Sequence, residues 1–256
     1  MYQGFSLELS TSNLSTWNSA DVSQTLKQKT RDGILQYSKQ GTVDAKKLED
    51  DWFGIIQADV FISHSHADEK LALTLANGLK EKLGLTCFVD SFVWGFADEL
   101  LREIDDEFCY NADKKTYSYA QRNKSTSHVH LMLCAALNKM IDRCESVIFL
   151  NTPRSLITSA FMGNDANLTA SPWIYTELVA TKLMRRTVPH RAGVLKKAME
   201  SVEARNLPTF VYEAPLSHMT ALSAHDLKKW AACGEKGGVA LDNLYDRFGL
   251  NVDFSK

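Results

Sequence analysis

The sequence predicts an α/β fold in which helices flank a parallel β-sheet. Short apolar runs, such as Val60–Ser63 and Ser146–Leu150, alternate along the chain with segments of helical periodicity. Each run ends on small or polar residues, which is typical of the carboxyl edge of a parallel sheet. With 256 residues, of which 45% are hydrophobic and 23% charged, the chain can bury a core of this kind.

The N-terminal residues 1–57 are expected to form a peripheral helical extension. Asp44 lies in the first turn of one predicted helix, where a carboxylate interacts favourably with the helix dipole. Gly33 and Gly41 divide this region into short pieces. The α/β domain is expected at residues 58–215, and a C-terminal helical segment at residues 216–256.

The predicted sheet begins with the strand Val60–Ser63. The helix Glu69–Lys82 follows, because leucines recur there at i, i+4 and i+8, and Gly84 ends it. The second strand, Thr86–Asp90, ends on a carboxylate. A loop, Ser91–Phe96, follows it and holds two aromatic residues around a glycine.

A polar insertion, Cys109–Ser127, separates the two halves of the predicted sheet. It shows no periodicity, and since loops of this length are usually functional, we expect it to cover a site or to form an assembly contact. The other expected elements are a helical segment Asp98–Phe108, a helix Ser127–Arg143, a strand Ser146–Leu150, a helix from Ser171-Pro172 to Arg186, a strand Thr209–Tyr212, and helices at Ser223–Ala232 and Val239–Phe248.

The composition argues against several classes of function. A formal net charge of -2 provides no basic surface for nucleic acid, and no apolar run is long enough to span a membrane. The five cysteines are scattered without a Cys-x-x-Cys, so neither a disulfide framework nor a zinc knuckle is indicated. Residues 1–23 lack a signal-peptide core, and we expect a reduced, cytoplasmic protein.

The segment after the first strand, His64-Ser-His-Ala-Asp68, has two interpretations. One is a nucleotide-binding turn, because α/β folds place ligands at this edge. The other is a metal cluster, since His-x-His-x-Asp begins a metallo-β-lactamase signature. Glu69 stands where that signature requires a histidine, so no metal is expected. Asp68 or Ser65 is expected to cap the helix that follows.

A second informative segment is Ser171-Pro-Trp-Ile-Tyr-Thr-Glu177. Serine as N-cap followed by proline at the first helical position is a strong helix start. Glu177 lies beyond the capping-box position, so capping does not account for it, and Trp173 is its i, i+4 neighbour. Taken alone, this pattern fits an exposed glutamate paired with a nearby arginine or lysine.

The order of these motifs resembles that of the Toll/interleukin-1 receptor (TIR) domain, which has a flavodoxin-like fold. Phe61-Ile-Ser63 matches its first motif, Ser91–Ala97 matches its BB loop, and Ser171-x-Trp-x-x-x-Glu177 matches its third motif. The resemblance covers residues 58–186 and extends more weakly to residue 215. The N-terminal extension and the insertion at 109–127 depart from the family pattern.

The resemblance implies that NAD⁺ is a substrate and that no cofactor is held. Enzymatic members of the family cleave the nicotinamide–ribose bond. Bacterial members act in anti-phage defence, in Thoeris-like systems where linear or cyclic ADP-ribose activates an effector protein. Carried over to this chain, Glu177 is the catalytic residue, and the BB loop mediates assembly into a homo-oligomer. The residues implied to shape the substrate site are Phe61, Ser63, His64, Ser65, Asp90, Trp94, Gly95, Phe96 and Trp173.

Two other functions remain open on the same residues. One is a non-enzymatic TIR adaptor that recruits partner proteins. The other is a nucleoside deoxyribosyltransferase-like enzyme, which also combines a small α/β fold with a glutamate at a glycosidic bond. A dehydrogenase that holds NAD as a cofactor is not supported, because the chain contains no Gly-x-Gly-x-x-Gly.

Overall fold

A five-stranded parallel β-sheet flanked by helices organises the computed structural model, which confirms the predicted α/β class. Contacts divide the chain into two units. The first unit comprises Met1–Asp21, Gln57–Val89 and Ile141–Lys256, and the second comprises Val22–Ile56 and Asp90–Met140. The structure describes residues 1–17, 37–39, 42–53, 57–113, 115–158, 167–187, 189 and 212–250.

The strands and helices are numbered here in chain order. The strands are β1 (Gln3–Glu8), β2 (Ser38–Lys39), β3 (Thr42–Val43), β4 (Val60–Ser63), β5 (Cys87–Val89), β6 (Tyr110–Asn111), β7 (Thr116–Tyr117), β8 (Ser146–Asn151), β9 (Ile157–Thr158), β10 (Asn167–Thr169), β11 (Tyr212–Glu213) and β12 (Thr220–Leu222). The helices are α1 (Ala45–Trp52), α2 (Glu69–Leu83), α3 (Ser91–Ile104), α4 (Tyr119–Arg143), α5 (Pro172–Leu183), α6 (Ala224–Ala231) and α7 (Gly237–Arg247). Short 3₁₀ turns lie at Thr11–Leu14 and His66–Asp68, and a π-helical turn lies at Asp105–Cys109.

The main sheet has the strand order β12-β1-β8-β4-β5, and all its pairs are parallel. From β4 the chain passes through α2 to β5 on one side, whereas β8 pairs with β4 on the other side. In open α/β sheets such a reversal of direction leaves a crevice at the carboxyl ends of the two strands. Ser63 pairs with Phe149 at this point, so β4 and β8 end side by side where the topology leads us to expect a ligand site.

The N-terminal segment holds the main difference from the predicted fold. Gln3–Glu8 is a strand that lies between β12 and β8, so the expectation of a helical extension is wrong for this part. Its apolar side chains are only Phe5 and Leu7, on either side of Ser6, so the segment lacks the continuous apolar run of the other predicted strands. The polar side chains find partners across the sheet: the Gln3 amide donates a 2.8 Å hydrogen bond to the Thr220 hydroxyl.

Strand β12 also comes from a segment expected to be helical, residues 216–256. The two helices predicted in that segment are confirmed as α6 and α7. The run β5-β4-β8 follows the 2-1-3 order of flavodoxin-like sheets. The next position in the sheet is taken by β1, from the start of the chain, and this arrangement is not visible in local sequence patterns.

Helices of the first unit follow their sequence signals closely. β4 and α2 begin at the predicted residues, and Gly84 ends α2 with a φ of 65° in the left-handed region. Helix α7 packs on β1, where the ring of Tyr245 is stacked against Phe5 with centroids 6.3 Å apart. These contacts bury the sheet beneath its helices.

Two predictions of loops in the second unit are wrong. Ser91–Phe96, expected as a loop, is the first part of α3. One glycine among apolar residues does not stop a helix whose spacing continues into the following turns. Helix α4 starts at Tyr119, inside the expected insertion, and the earlier part of that insertion forms the β6–β7 hairpin. A helix does begin in the region of Asp44, but it starts at Ala45: Thr42–Val43 is strand β3, and Asp44 is the N-cap and not a first-turn residue, with its carboxylate accepting a hydrogen bond from the Lys47 amide at 3.0 Å.

A small antiparallel sheet, β11-β10-β9, stands apart from the main one. Of the strand predicted at Thr209–Tyr212, the structure describes only Tyr212. This residue belongs to the antiparallel sheet and not to the parallel one. Residues 209–211, and the predicted breaks at Gly33 and Gly41, lie outside the described residues. Within the described chain, no helix combines the length and the apolar character needed to cross a bilayer.

Candidate functional site

Helix α5 carries the carboxylate that the third motif singles out. Its start is set locally, as predicted: the Ser171 hydroxyl accepts a hydrogen bond from the Ile174 amide at 3.3 Å, and Pro172 occupies the first helical position. Ile174 and Leu178 flank Glu177 along the sequence and pack into one apolar cluster with Phe149 of β8. This packing holds the helix face that bears Glu177 against the sheet.

Glu177 and Ser63 meet at the carboxyl edge of β4. The Ser63 hydroxyl donates a 2.6 Å hydrogen bond to Oε2 of Glu177, although the two residues are 114 positions apart. Each residue is only 1% exposed. The alternative of an exposed glutamate paired with a surface cation is therefore wrong. A carboxylate in such a place is costly to bury and depends on the hydrogen bonds it accepts.

The two histidines that suggested a metal lie in different environments in the turn after Ser63. His64 is fully buried, Ser65 is half-buried and His66 is exposed. Among the residues that the structure describes, no group of three His, Cys, Asp or Glu side chains is placed to hold a metal ion. Asp68 occupies the N-cap position of α2, as expected, but neither Asp68 nor Ser65 makes a side-chain cap bond.

Asp68 instead joins this turn to the turn after β8. Its carboxylate accepts a hydrogen bond from the Thr152 hydroxyl at 2.6 Å and from Nη1 of Arg154 at 3.2 Å. The same Nη1 donates to the carbonyl of Ala67 at 2.9 Å. Sequence reasoning missed Thr152 and Arg154, although the polar run that closes β8 was a signal for them.

The remaining predicted site residues fall into three environments. Phe61 is a core residue, fully buried against Phe88 with ring centroids 5.3 Å apart, so it does not line a crevice. Asp90 is fully buried at the start of α3, and Trp173 is half-buried on α5.

Trp94, Gly95 and Phe96 belong to α3 in the second unit. The side chains of Trp94 and Phe96 lie outside what the structure describes, and a Cβ added at Gly95 would meet no atom within 4 Å. A contribution of these three residues to the site stays a prediction.

One turn beyond Glu177, Thr181 contacts a histidine that the sequence did not single out. The Thr181 hydroxyl donates to the Leu178 carbonyl at 2.8 Å, and its oxygen is also hydrogen-bonded to Nε2 of His218 at 2.9 Å. Burial, together with the charges of Lys182 and Arg186, lowers the pKa of His218 to about 4. His218 is therefore neutral near pH 7.

Two of the cysteines, Cys87 and Cys144, are poor candidates for a nucleophile. All five are free thiols, and burial raises the pKa of Cys144 to about 12. Burial also raises the pKa of Cys87. Because the thiolate is the reactive form, such groups are inert near neutral pH.

Comparisons of this chain with family models, with curated proteins and with solved structures gave no match. The site must therefore be interpreted from its own geometry. That geometry is a buried carboxylate held by a serine, at the edge of a parallel sheet where α/β proteins bind ligands.

Proposed function

We propose that this chain is a TIR-type enzyme that cleaves the nicotinamide–ribose bond of NAD⁺. It acts in the cytoplasm of a bacterium, in anti-phage signalling, and releases ADP-ribose or a cyclic isomer that a separate effector senses. One observation carries the proposal: the 2.6 Å hydrogen bond between Ser63 and Glu177 joins the first and third motifs of the resemblance in one buried place. Neither motif alone is specific, but their contact at a sheet edge supports a common site.

The reaction needs little more than one well-placed carboxylate. Nicotinamide in NAD⁺ is cationic and leaves as a neutral molecule with the electron pair of its bond to ribose, so no general acid is required. The ribose then carries oxocarbenium charge, which a carboxylate stabilises as in glycoside hydrolysis. Water adds to this carbon and loses a proton, which yields ADP-ribose. If an atom of the same dinucleotide adds instead, the product is cyclic.

Each residue of the pair has a distinct part in this scheme. Glu177 stabilises the charge that develops on ribose, and Ser63 orients the carboxylate through the hydrogen bond to Oε2. Trp173, four residues earlier on α5, offers an apolar surface for a flat ring. Because Glu177 is only 1% exposed, substrate reaches it only after the residues that cover it have moved.

Nicotinamide release tests the role of Glu177. The purified protein is incubated at high concentration with NAD⁺, and the products are followed by liquid chromatography and mass spectrometry. Glu177→Gln keeps the shape of the side chain and removes its charge, so we expect the turnover rate to fall by about 10²–10³-fold. Mass spectrometry of the wild-type products also distinguishes ADP-ribose from a cyclic isomer.

Glu213→Gln is the matched control, because it removes one carboxylate from the exposed strand β11. We expect it to keep the wild-type rate. Turnover that is undiminished in Glu177→Gln, or equally diminished in both variants, contradicts the proposed role.

The burial of Glu177 also favours the adaptor alternative, since a covered carboxylate can serve the fold alone. An adaptor shows no NAD⁺ turnover at any protein concentration and still binds a partner. Wild-type protein that forms stable complexes without releasing nicotinamide would favour this function over catalysis.

A further inference from the structure

We propose that Arg154 binds the diphosphate of the dinucleotide, so that the turn after β8 is an anion subsite at the same sheet edge as Glu177. The inference rests on the proposed function, because the diphosphate belongs to NAD⁺. It concerns a residue that lies outside every motif of the resemblance. Four features of the structure support it: position, exposure, rigidity and charge.

Arg154 follows β8, which is the direct neighbour of β4 in the sheet. Ser63, the last residue of β4, is paired with Phe149, and β8 ends two residues later at Asn151. Since parallel strands end at a common edge, the chain that leaves β8 passes the place where Ser63 holds Glu177. A dinucleotide whose ribose meets Glu177 can extend its diphosphate along this edge.

The guanidinium of Arg154 is both exposed and oriented. Its side chain is 62% exposed, yet Nη1 donates to the Ala67 carbonyl and to Oδ1 of Asp68. A guanidinium has five N–H donors in a planar fork, and both of these contacts use the same nitrogen. Within the part of the chain that the structure describes, its other donors are available to a ligand.

The turn that presents Arg154 is tied down at its base. The Ser155 hydroxyl donates to the Leu150 carbonyl at 2.7 Å, and the amides of Arg154 and Ser155 both donate to the Thr152 hydroxyl at 3.2 Å. The backbone that carries Arg154 therefore has little conformational freedom to lose on binding. This lowers the entropic cost of holding an anion.

The free edge of the Arg154 guanidinium suits an oxyanion ligand by its geometry, and the Asp68 carboxylate offsets only part of its charge. Asp68, whose side chain is 5% exposed, holds one edge of the guanidinium with a carboxylate, and phosphate oxygens match the same fork. The whole chain has a net charge of -2, so it offers no general attraction for a dianionic diphosphate. A local, preorganised arginine supplies the favourable contact that the net charge does not.

Binding of ADP tests the subsite without any turnover, because ADP carries the diphosphate and no scissile nicotinamide bond. Calorimetric titrations compare wild type with Arg154→Ala, Arg154→Lys and Arg247→Ala. Arg247 is exposed on α7, and its Nε donates a hydrogen bond to Asn243 at 2.9 Å. Arg247→Ala therefore removes the same charge as Arg154→Ala, but at a position away from this sheet edge.

Arg154→Ala is expected to weaken ADP binding by about tenfold, whereas Arg247→Ala leaves it unchanged. Arg154→Lys retains the charge and loses the fork, so we expect an intermediate affinity. Arg154→Lys keeps a cation beside the Asp68 carboxylate. If Arg154→Ala fails to fold, the ADP affinity of Arg154→Lys therefore tests the inference in its place. Equal losses in Arg154→Ala and Arg247→Ala, unchanged binding in both, or no ADP binding by wild type overturn the inference.

Kinetics with NAD⁺ separate this inference from the proposed function. Arg154→Ala is expected to raise KM by about tenfold while kcat stays within about twofold, since the contact is remote from the bond that breaks. Nicotinamide release with an unchanged KM in Arg154→Ala keeps the function and rejects the subsite. Arg154-dependent ADP binding without nicotinamide release keeps the subsite and rejects the function.

Discussion

Ser63 and Glu177 show how a single hydrogen bond shapes the candidate site. A hydrogen bond to a charged group contributes about 1.5–3 kcal/mol, roughly twice the value for a neutral pair. This bond offsets part of the cost of burying the Glu177 carboxylate, and it also sets the direction in which the carboxylate points. Arg154, Thr152 and Asp68 form a second polar cluster at the same sheet edge, with one carboxylate at its centre.

His218 makes the stability of the fold depend on pH. Its pKa is about 4 in the folded protein against an ordinary value of 6.5, because burial and the charges of Lys182 and Arg186 disfavour the protonated ring. Between these two values the unfolded chain binds more protons than the folded one. We therefore expect the free energy of unfolding to decrease as pH falls from 6.5 towards 4, measured by urea denaturation at several pH values.

The histidine variants test this assignment. His218→Asn is expected to reduce the slope of the free energy of unfolding against pH in that window. The reduction corresponds to a difference of less than one bound proton between the unfolded and folded states. His225 is exposed at the start of α6, so His225→Asn serves as the control for replacing a histidine outside this cluster. A slope that His218→Asn does not alter assigns the pH dependence to other groups.

At the scale of elements, local signals predicted the parts of the fold that carry the two main residues. The helix cap at Ser171 and the proline after it define the start of α5, and a short apolar run defines β4. Such signals act within one turn or one strand, so at these two places they depend little on the rest of the fold. Helices α3 and α4 begin before their predicted starts, because helix propensity and tertiary packing outweigh an aromatic or polar composition that predicts a loop.

Helix α2 depends on a close approach between Gly78 and the ring of Trp17. A Cβ at position 78 would lie 1.7 Å from Cε3 of Trp17, far inside contact distance. Alanine gains about 1 kcal/mol of helix propensity over glycine, but overpacking the buried indole costs more. Gly78→Ala is therefore expected to lower the free energy of unfolding by about 1–3 kcal/mol, as measured by chemical denaturation.

Gly95→Ala is the matched control for this variant. It also replaces a helical glycine, in α3, but its Cβ would meet no atom within 4 Å. We expect this change to be neutral or to stabilise by up to about 1 kcal/mol. If both variants have the same effect, then propensity and not the Trp17 contact determines the outcome at Gly78.

At the scale of the whole molecule, the sheet brings together segments from both ends of the chain. β1 and β12 pair next to β8, so residues near positions 5 and 220 lie side by side. The proposed function adds a requirement for self-association, which the TIR resemblance implies. The near-complete burial of Glu177 in the single chain is consistent with a site that opens only in an assembly.

Self-association has a kinetic consequence. If assembly completes the site, the rate of nicotinamide release per mole of protein rises as the protein is concentrated over about a hundredfold range. Analytical ultracentrifugation over the same range is expected to show oligomers where the specific rate rises. A specific rate that stays constant while the oligomeric state changes contradicts this expectation, and so does a rise in rate without any oligomer.

The sequence by itself determined the α/β class, the strand that ends at Ser63 and the helix that begins after Ser171, because each follows from residues within a few positions of one another. Only the tertiary structure decided that Ser63 bonds Glu177, that Asp68 bonds Arg154 and that Gln3–Glu8 is a sheet strand. These features depend on contacts between residues that are distant in the chain. The choice of partner is made there by sheet topology and by the need to satisfy buried polar groups, neither of which local patterns record.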